Sequence, residues 1–256
     1  MTTHRIGLIV PSSNTTMESE LPELFRRRSA LTGETFTWHS ARARMSHVTP
    51  EQLDRMVQAS DVAAQSLADA PVEVIAYACL VAVMARGPGA HRDVEARLAA
   101  ALADGPRQPP VVSSAGALIA GLQALSARRI AIVTPYMRPL AEQVAGYIRA
   151  EGIDVAETVA LEVSDNVEVG RLDTGELAGI ARRIDTDGID ALVLSACVQM
   201  PSLPVVQRVE DEIGVPVLTA ATATARCILL ALGLDPAVPG AGALLSSRVQ
   251  AQPAST

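Results

Sequence analysis

The sequence predicts an α/β protein whose parallel β-sheets are covered by helices on both faces. Eight short runs rich in β-branched residues alternate with longer segments of helical periodicity. The runs are apolar on both faces, as the strands of a buried parallel sheet are. The chain also resembles itself at a spacing near half its length, which is typical of a duplicated unit.

The predicted strands follow one another along the chain, mostly with room for a helix between them. They are residues 5–11, 35–43, 72–78, 109–115, 128–135, 155–163, 189–196 and 215–220. Helical periodicity is clear in residues 50–70 and 138–152, which lie between predicted strands. Eight such units fit either a single barrel or two four-stranded, doubly wound halves.

The internal repeat favours two halves over a barrel. The stretch "VEVIAYACLV" (72–81) resembles "IDALVLSACV" (189–198). We therefore expect an N-terminal half over residues 1–120, a C-terminal half over 121–245, and a disordered polar tail over 246–256. A barrel remains the alternative on the pattern alone, since duplicated half-barrels also exist.

Composition excludes several classes of function. The net charge of −7 and the aromatic content of 2% disfavour nucleic acid and anionic membrane surfaces as partners. All 21 basic residues are Arg, so no lysine is present to form a Schiff base or to hold a pyridoxal cofactor covalently. The chain shows no signal peptide and no apolar run of the ~18–20 residues that span a membrane. We expect a cytoplasmic protein whose three cysteines are free thiols.

Two of the cysteines occupy corresponding positions in the repeat. Cys79 and Cys197 lie at the carboxyl ends of equivalent predicted strands, where ligands bind in open parallel sheets. If the halves are related by an approximate two-fold axis, the two thiols face each other across one crevice. Cysteine is also a common buried apolar residue, and that interpretation is kept for Cys227. The matched pair favours a functional role for the other two.

The residues after each cysteine are expected to surround the thiols with backbone amides. Leu80 and Val81 would supply amides beside Cys79, and Val198 would supply one beside Cys197. Such amides lower a thiol pKa from its usual ~8.5 and stabilise bound carboxylates. The histidines have no metal-binding spacing, and no phosphate-binding loop is present. A two-thiol enzyme without a cofactor is what remains.

Several stretches together resemble one known family. They are "GLIVPSSNTTMESELP", "YACLVAVM", "SSAGAL", "VTPYMRPLAE", "ALEVSDNVEVG", "SACVQMPSLP" and "PVLTAATAT". They are similar to the aspartate/glutamate racemase superfamily and, within it, to the maleate cis-trans isomerase family. The resemblance implies two flavodoxin-like halves around a central cleft. It thereby decides against the barrel.

The residues beside the cysteines separate this chain from related families. Racemases of the superfamily usually follow their cysteines with Asn-Thr and with Thr-Glu or Thr-His. Here Cys79 is followed by Leu80-Val81, and Cys197 by Val198-Gln199. Arylmalonate decarboxylases keep only the second-half cysteine, whereas this chain has both.

The resemblance also implies a mechanism and a set of site residues. Cys79, as thiolate, would add to maleate, and Cys197 would exchange a proton with the neighbouring carbon, so that fumarate forms after bond rotation. Asn14, Tyr136 and Asn166 would bind the carboxylates of the dicarboxylate substrate. The resemblance further implies no cofactor, a homo-oligomer (dimer or tetramer) and a bacterial role in nicotinate degradation. Another enzyme of the superfamily (a racemase or decarboxylase) and a non-catalytic small-acid binding protein are the alternatives.

Overall fold

The strands form two separate four-stranded parallel sheets in the computed structural model, which describes residues 2–45, 47–247 and 249. They are β1 (Thr3–Pro11), β2 (Thr35–Ala43), β3 (Val74–Tyr77), β4 (Val111–Ser113), β5 (Arg129–Thr134), β6 (Asp154–Ala160), β7 (Ala191–Ser195) and β8 (Val217–Thr219). The strand orders are β2-β1-β3-β4 and β6-β5-β7-β8. Each predicted strand is therefore confirmed, and the strands form two sheets rather than a single barrel.

The helices lie between and after these strands. They are α1 (Met17–Thr32), α2 (Pro50–Ala68), α3 (Leu80–Met84), α4 (Ala90–Ala101), α5 (Ser114–Ala124), α6 (Arg138–Ala150), α7 (Asn166–Val169), α8 (Thr174–Ala181), α9 (Val206–Ile213) and α10 (Ala220–Ala231). Both segments with clear helical periodicity are confirmed as α2 and α6. Within the described ranges, no helix has the length and apolar character needed to cross a membrane.

The identical strand orders make the two halves structural equivalents, so that β1 corresponds to β5 and β3 to β7. In each sheet these two strands occupy the centre, and β3 and β7 are buried along their whole length. Helices cover both faces of a doubly wound sheet, which is why these strands are apolar throughout rather than alternating. The expected architecture of two α/β halves is thus confirmed.

Helices α5 and α10, which follow the last strand of each sheet, pack against each other. Gly121 of α5 allows a close approach, because an added Cβ would lie 3.1 Å from Leu244 Cδ2 and 3.5 Å from Ala223 Cβ. The Thr224 hydroxyl of α10 lies 2.9 Å from the Ser114 hydroxyl of α5. This contact joins the two halves.

The predicted boundaries between segments are not settled by the fold. Residues 120 and 121, where the halves were expected to divide, both lie inside α5. The division there remains a prediction. Of the predicted disordered tail, residues 248 and 250–256 lie outside the described residues.

Two buried tyrosines differ in whether their hydroxyl groups are paired. The Tyr147 hydroxyl of α6 accepts a hydrogen bond from the His91 backbone N–H (3.1 Å) and contacts His91 Nδ1. The Tyr77 hydroxyl of β3 is buried and has no hydrogen-bond partner within the described ranges. An unpaired buried hydroxyl costs about 1–3 kcal/mol.

We therefore expect Tyr77→Phe to preserve or raise the free energy of unfolding by up to about 1 kcal/mol, since no hydrogen bond is lost. Tyr147→Phe is the matched control and should lower it by about 1 kcal/mol, because the His91 N–H loses its acceptor. Urea unfolding of the three proteins measures the difference. An equal loss in both variants would mean that the Tyr77 hydroxyl is hydrogen-bonded after all.

Candidate active site

The two cysteines of the repeat lie at the same place in each half. Cys79 is two residues beyond the end of β3 and precedes α3, and Cys197 is two residues beyond the end of β7. Both are free thiols and both are buried, with 1% and 5% of their surface exposed. Charge on Cys197 raises the pKa of Cys79, so the two groups are close enough to interact electrostatically. Cys227, by contrast, is partly buried in α10 and packs against the core.

Burial controls the ionisation of both thiols. It raises the pKa of Cys79 to about 12, although a hydrogen bond from the Ala82 N–H opposes the shift. Burial also raises the pKa of Cys197, although hydrogen bonds from the Tyr136 hydroxyl and from the N–H groups of Gln199 and Met200 lower it. The Gln199 nitrogen lies 3.3 Å from Cys197 Sγ.

The expectation of lowered thiol pKa values is therefore wrong, because desolvation outweighs the amides. The amides that contact the sulfur atoms also belong to other residues than expected. Leu80, Val81 and Val198 are all buried beside the cysteines. The N–H groups that lower the thiol pKa values come instead from Ala82, Gln199 and Met200.

Asn14 links the loop after β1 to the loop after β7. Its Nδ2 donates to the Val198 carbonyl (3.0 Å), and its Oδ1 accepts from the Met17 N–H at the start of α1 (3.1 Å). The side chain is completely buried. A primary amide has two N–H donors, and the Val198 carbonyl uses one of them.

Asn166 and Tyr136 bring two loops of the C-terminal half to the same region. Asn166 Nδ2 donates to the hydroxyl of Ser13 (2.8 Å), the residue before Asn14. The second N–H of the Asn166 amide is not used in this bond. Tyr136 follows β5, and its buried hydroxyl has no nitrogen or oxygen partner among the described residues. That hydroxyl lowers the pKa of Cys197, which places it beside the thiol. The chain contains only two asparagines, and both lie here.

A cavity of about 530 Å³ opens between the two halves. Its walls come from both, and the lining residues are His47, Val48, Thr49, Leu53, Asp54, Ala82, Ala85, Arg86, Tyr136, Met137, Pro139, Leu140, Gln143, Val163 and Ser164. The lining includes Ala82 and Tyr136, which contact Cys79 and Cys197 respectively. The cavity therefore reaches the immediate neighbours of both thiols, which are themselves covered. Among the described residues, no group of three or more His, Cys, Asp and Glu side chains could hold a metal ion.

The loop that carries Cys197 is held by residues that the sequence analysis did not single out. The Thr16 hydroxyl donates to the Gln199 carbonyl (2.8 Å). The buried Glu20 carboxylate accepts the N–H groups of Ser202 (2.6 Å) and Leu203 (2.7 Å). Burial raises the pKa of Glu20, and these two N–H groups oppose the shift. No local pattern marks this role, because the partners of Glu20 lie 182 and 183 residues further along the chain.

Comparison with known protein sequences agrees with this geometry. The family model described as arylmalonate decarboxylase matches residues 6–245. A maleate isomerase from Geobacillus stearothermophilus is 54% identical and covers 95% of this chain and 98% of its own. A maleate isomerase from Pseudomonas putida is also 54% identical, over 95% of this chain and 97% of its own.

Solved structures give the same result. The maleate isomerase from Pseudomonas putida S16 with maleate has a TM-score of 0.95, with 50% identity and coverage of 96% of this chain and 98% of its own. A mutant maleate cis-trans isomerase from Nocardia farcinica with a covalently bound succinylcysteine intermediate has a TM-score of 0.92, with 53% identity and coverage of 95% and 98%. An arylmalonate decarboxylase shares the fold, with a TM-score of 0.74 at 20% identity. The predicted resemblance is confirmed, and the chain belongs to the maleate isomerase family, within the wider group that the arylmalonate decarboxylase model describes.

Proposed function

We propose that this protein converts maleate to fumarate by cofactor-independent cis–trans isomerisation. The observation that carries the proposal is the pair of thiols, Cys79 and Cys197, which lie at equivalent strand ends beside one cavity. Relatives named maleate isomerase share 54% identity with this chain over 95% of its length, which supports the same reaction here.

The chemistry requires a nucleophile and a proton donor on adjacent carbons. The Cys79 thiolate bonds to one olefinic carbon of maleate, and Cys197 gives its proton to the other. The former double bond is then single and can rotate. Cys197 next removes the same proton and becomes a thiol again, and Cys79 leaves as thiolate, so that fumarate is released and both cysteines return to their starting states. The covalent succinylcysteine in the Nocardia farcinica relative supports this route.

Neutral hydrogen-bond donors hold the substrate carboxylates in this proposal. Asn14 and Asn166 each retain one N–H after binding their protein partners. The Tyr136 hydroxyl contacts the Cys197 thiol and has no nitrogen or oxygen partner within the described ranges. One carboxylate must turn when the central bond rotates. A strong ionic clamp at both ends would oppose that turn, whereas neutral donors can release and rebind a carboxylate.

The wider setting is part of the proposal. We place the protein in the cytoplasm as a homo-oligomer with a degradative role in nicotinate catabolism, as the family resemblance implies. Decarboxylation of an arylmalonate is the second candidate function, and the match to the arylmalonate decarboxylase model favours it. The presence of both cysteines favours isomerisation over it.

Proton NMR of the protein incubated with maleate tests the reaction directly, and we expect fumarate to accumulate. Cys79→Ala and Cys197→Ala should each lower kcat by at least ~10³-fold, because each removes a reacting group. Cys227→Ala is the control and should leave kcat unchanged. Mass spectrometry of Cys197→Ala should show one maleate added to the Cys79 peptide. Turnover by Cys79→Ala, or release of carbon dioxide from an arylmalonate without action on maleate, would overturn the proposal.

The raised pKa of Cys79 predicts how its reactivity depends on pH. A thiol with a pKa of about 12 is protonated at neutral pH, and its thiolate fraction rises tenfold per pH unit below that value. We expect iodoacetamide to alkylate Cys79 about tenfold faster with each unit from pH 7 to pH 10, without a plateau. Peptide mass spectrometry measures the rate, and the unfolded protein, whose thiols level off above ~8.5, is the control. A plateau near neutral pH would contradict the prediction.

The two asparagines should contribute differently to maleate and to fumarate. Asn14→Ala and Asn166→Ala should each weaken dicarboxylate binding by about tenfold or more, which is the usual worth of a hydrogen bond to a charged group. The losses should be unequal for the two isomers, because only one carboxylate turns. Calorimetry in a Cys79→Ala background avoids turnover, and Gln65→Ala, at an exposed amide outside the cavity, is the control. Equal losses of affinity for maleate and fumarate would contradict the idea that one carboxylate stays fixed while the other turns.

A further inference from the structure

We infer that Gln199 is a positioning residue, whose side-chain amide fixes the two carboxylate-binding asparagines relative to Cys197. The inference rests on the proposed function and adds a residue to it. Gln199 is buried, with 2% of its surface exposed. It lies two residues after Cys197, in the buried loop beyond β7.

The side-chain amide of Gln199 is committed to three backbone groups. Its Oε1 accepts the Thr15 N–H (3.1 Å), and its Nε2 donates to the carbonyls of Ser13 (3.1 Å) and Asn166 (3.0 Å). Both N–H donors are thus used. With no donor left for a carboxylate, the side chain acts on the substrate through other residues.

The three partners of Gln199 belong to the segments that present the asparagines. Ser13 and Thr15 flank Asn14 on either side, and the third partner is the carbonyl of Asn166 itself. The backbone N–H of Gln199 also contacts Cys197 Sγ at 3.3 Å. One residue therefore connects both asparagines to the second thiol, across the boundary between the two halves.

The chemistry of the three contacts selects a primary amide. The partners are two carbonyl oxygens and one N–H, which need two donors and one acceptor on a single planar group. A glutamate at this position would place a carboxylate oxygen against two carbonyl oxygens. A methionine would fill similar space but would remove the partner of all three backbone groups, at the greatest cost for the buried carbonyl of Asn166.

Gly170 packs closely against the Gln199 side-chain amide. An added Cβ at Gly170, directly after α7, would lie 2.5 Å from Gln199 Nε2. Gly170 has a φ of −68°, which any residue can adopt. A side chain at Gly170 would therefore overlap the Gln199 amide. Gly170→Ala should displace that amide without removing it.

A double-mutant cycle on kcat/KM for maleate tests the inference. We expect Gln199→Met and Gln199→Glu to lower kcat/KM by ~10–100-fold, since small misplacements of positioning groups have effects of this size. Gly170→Ala should also lower kcat/KM. In a background that lacks both side-chain amides, Asn14→Ala with Asn166→Ala, the further loss from Gln199→Met should shrink to less than about threefold, because Gln199 acts through those two residues. In a Tyr136→Phe background the full loss should remain, since Gln199 makes no hydrogen bond to Tyr136 in the described structure.

Controls separate positioning from general stability and from the proposed reaction. Gln65→Glu makes the same change at an exposed amide, whose Nε2 donates to the Ala101 carbonyl, and should leave kcat/KM unchanged. The inference would be overturned if Gln199→Met lowered kcat/KM by the same factor in both backgrounds. It would also be overturned if the Gln199 variants kept kcat/KM within twofold of the parent, or if both variants unfolded. An inactive parent protein would instead overturn the proposed function.

Discussion

The buried loop that carries Cys197 depends on hydrogen bonds from the opposite half of the chain. A buried loop without regular secondary structure must pair its backbone polar groups with side chains or water. Asn14, Thr16 and Glu20 supply these partners from the loop after β1 and from α1. Separating the two halves would therefore break these hydrogen bonds, so the position of this loop depends on the docking of the halves.

The same burial sets the electrostatics of the site. Excluding water raises the pKa of both thiols, because a thiolate loses its hydration there. In such an environment a hydrogen bond to a carboxylate is stronger than in water. The site thus combines protonated thiols at rest with neutral donors of known orientation. This arrangement suits a substrate that carries two negative charges and must change shape while bound.

The comparison with related proteins shows that the same fold occurs in enzymes with different names and few shared residues. An arylmalonate decarboxylase keeps the architecture at 20% identity, so the two sheets and their helices tolerate extensive substitution. Activity depends on the few side chains that the strand ends present. In this chain the proposed site residues come from loops after β1, β3, β5, β6 and β7. The duplicated fold provides two equivalent sets of strand ends, and the proposed site uses both.

The sequence by itself determined the strands, the main helices, the duplication and the placement of Cys79 and Cys197 at equivalent strand ends. These features are encoded locally, because apolar runs and helical periodicity report burial within one segment. Asn14, Tyr136 and Asn166 were identified only through the resemblance to a family, since each is an ordinary loop residue on its own. Only the tertiary structure decided the direction of the thiol pKa shifts and the roles of Glu20 and Gln199. Those properties arise from desolvation and from contacts between segments that are 182 and 184 residues apart in the chain, and no local pattern records them.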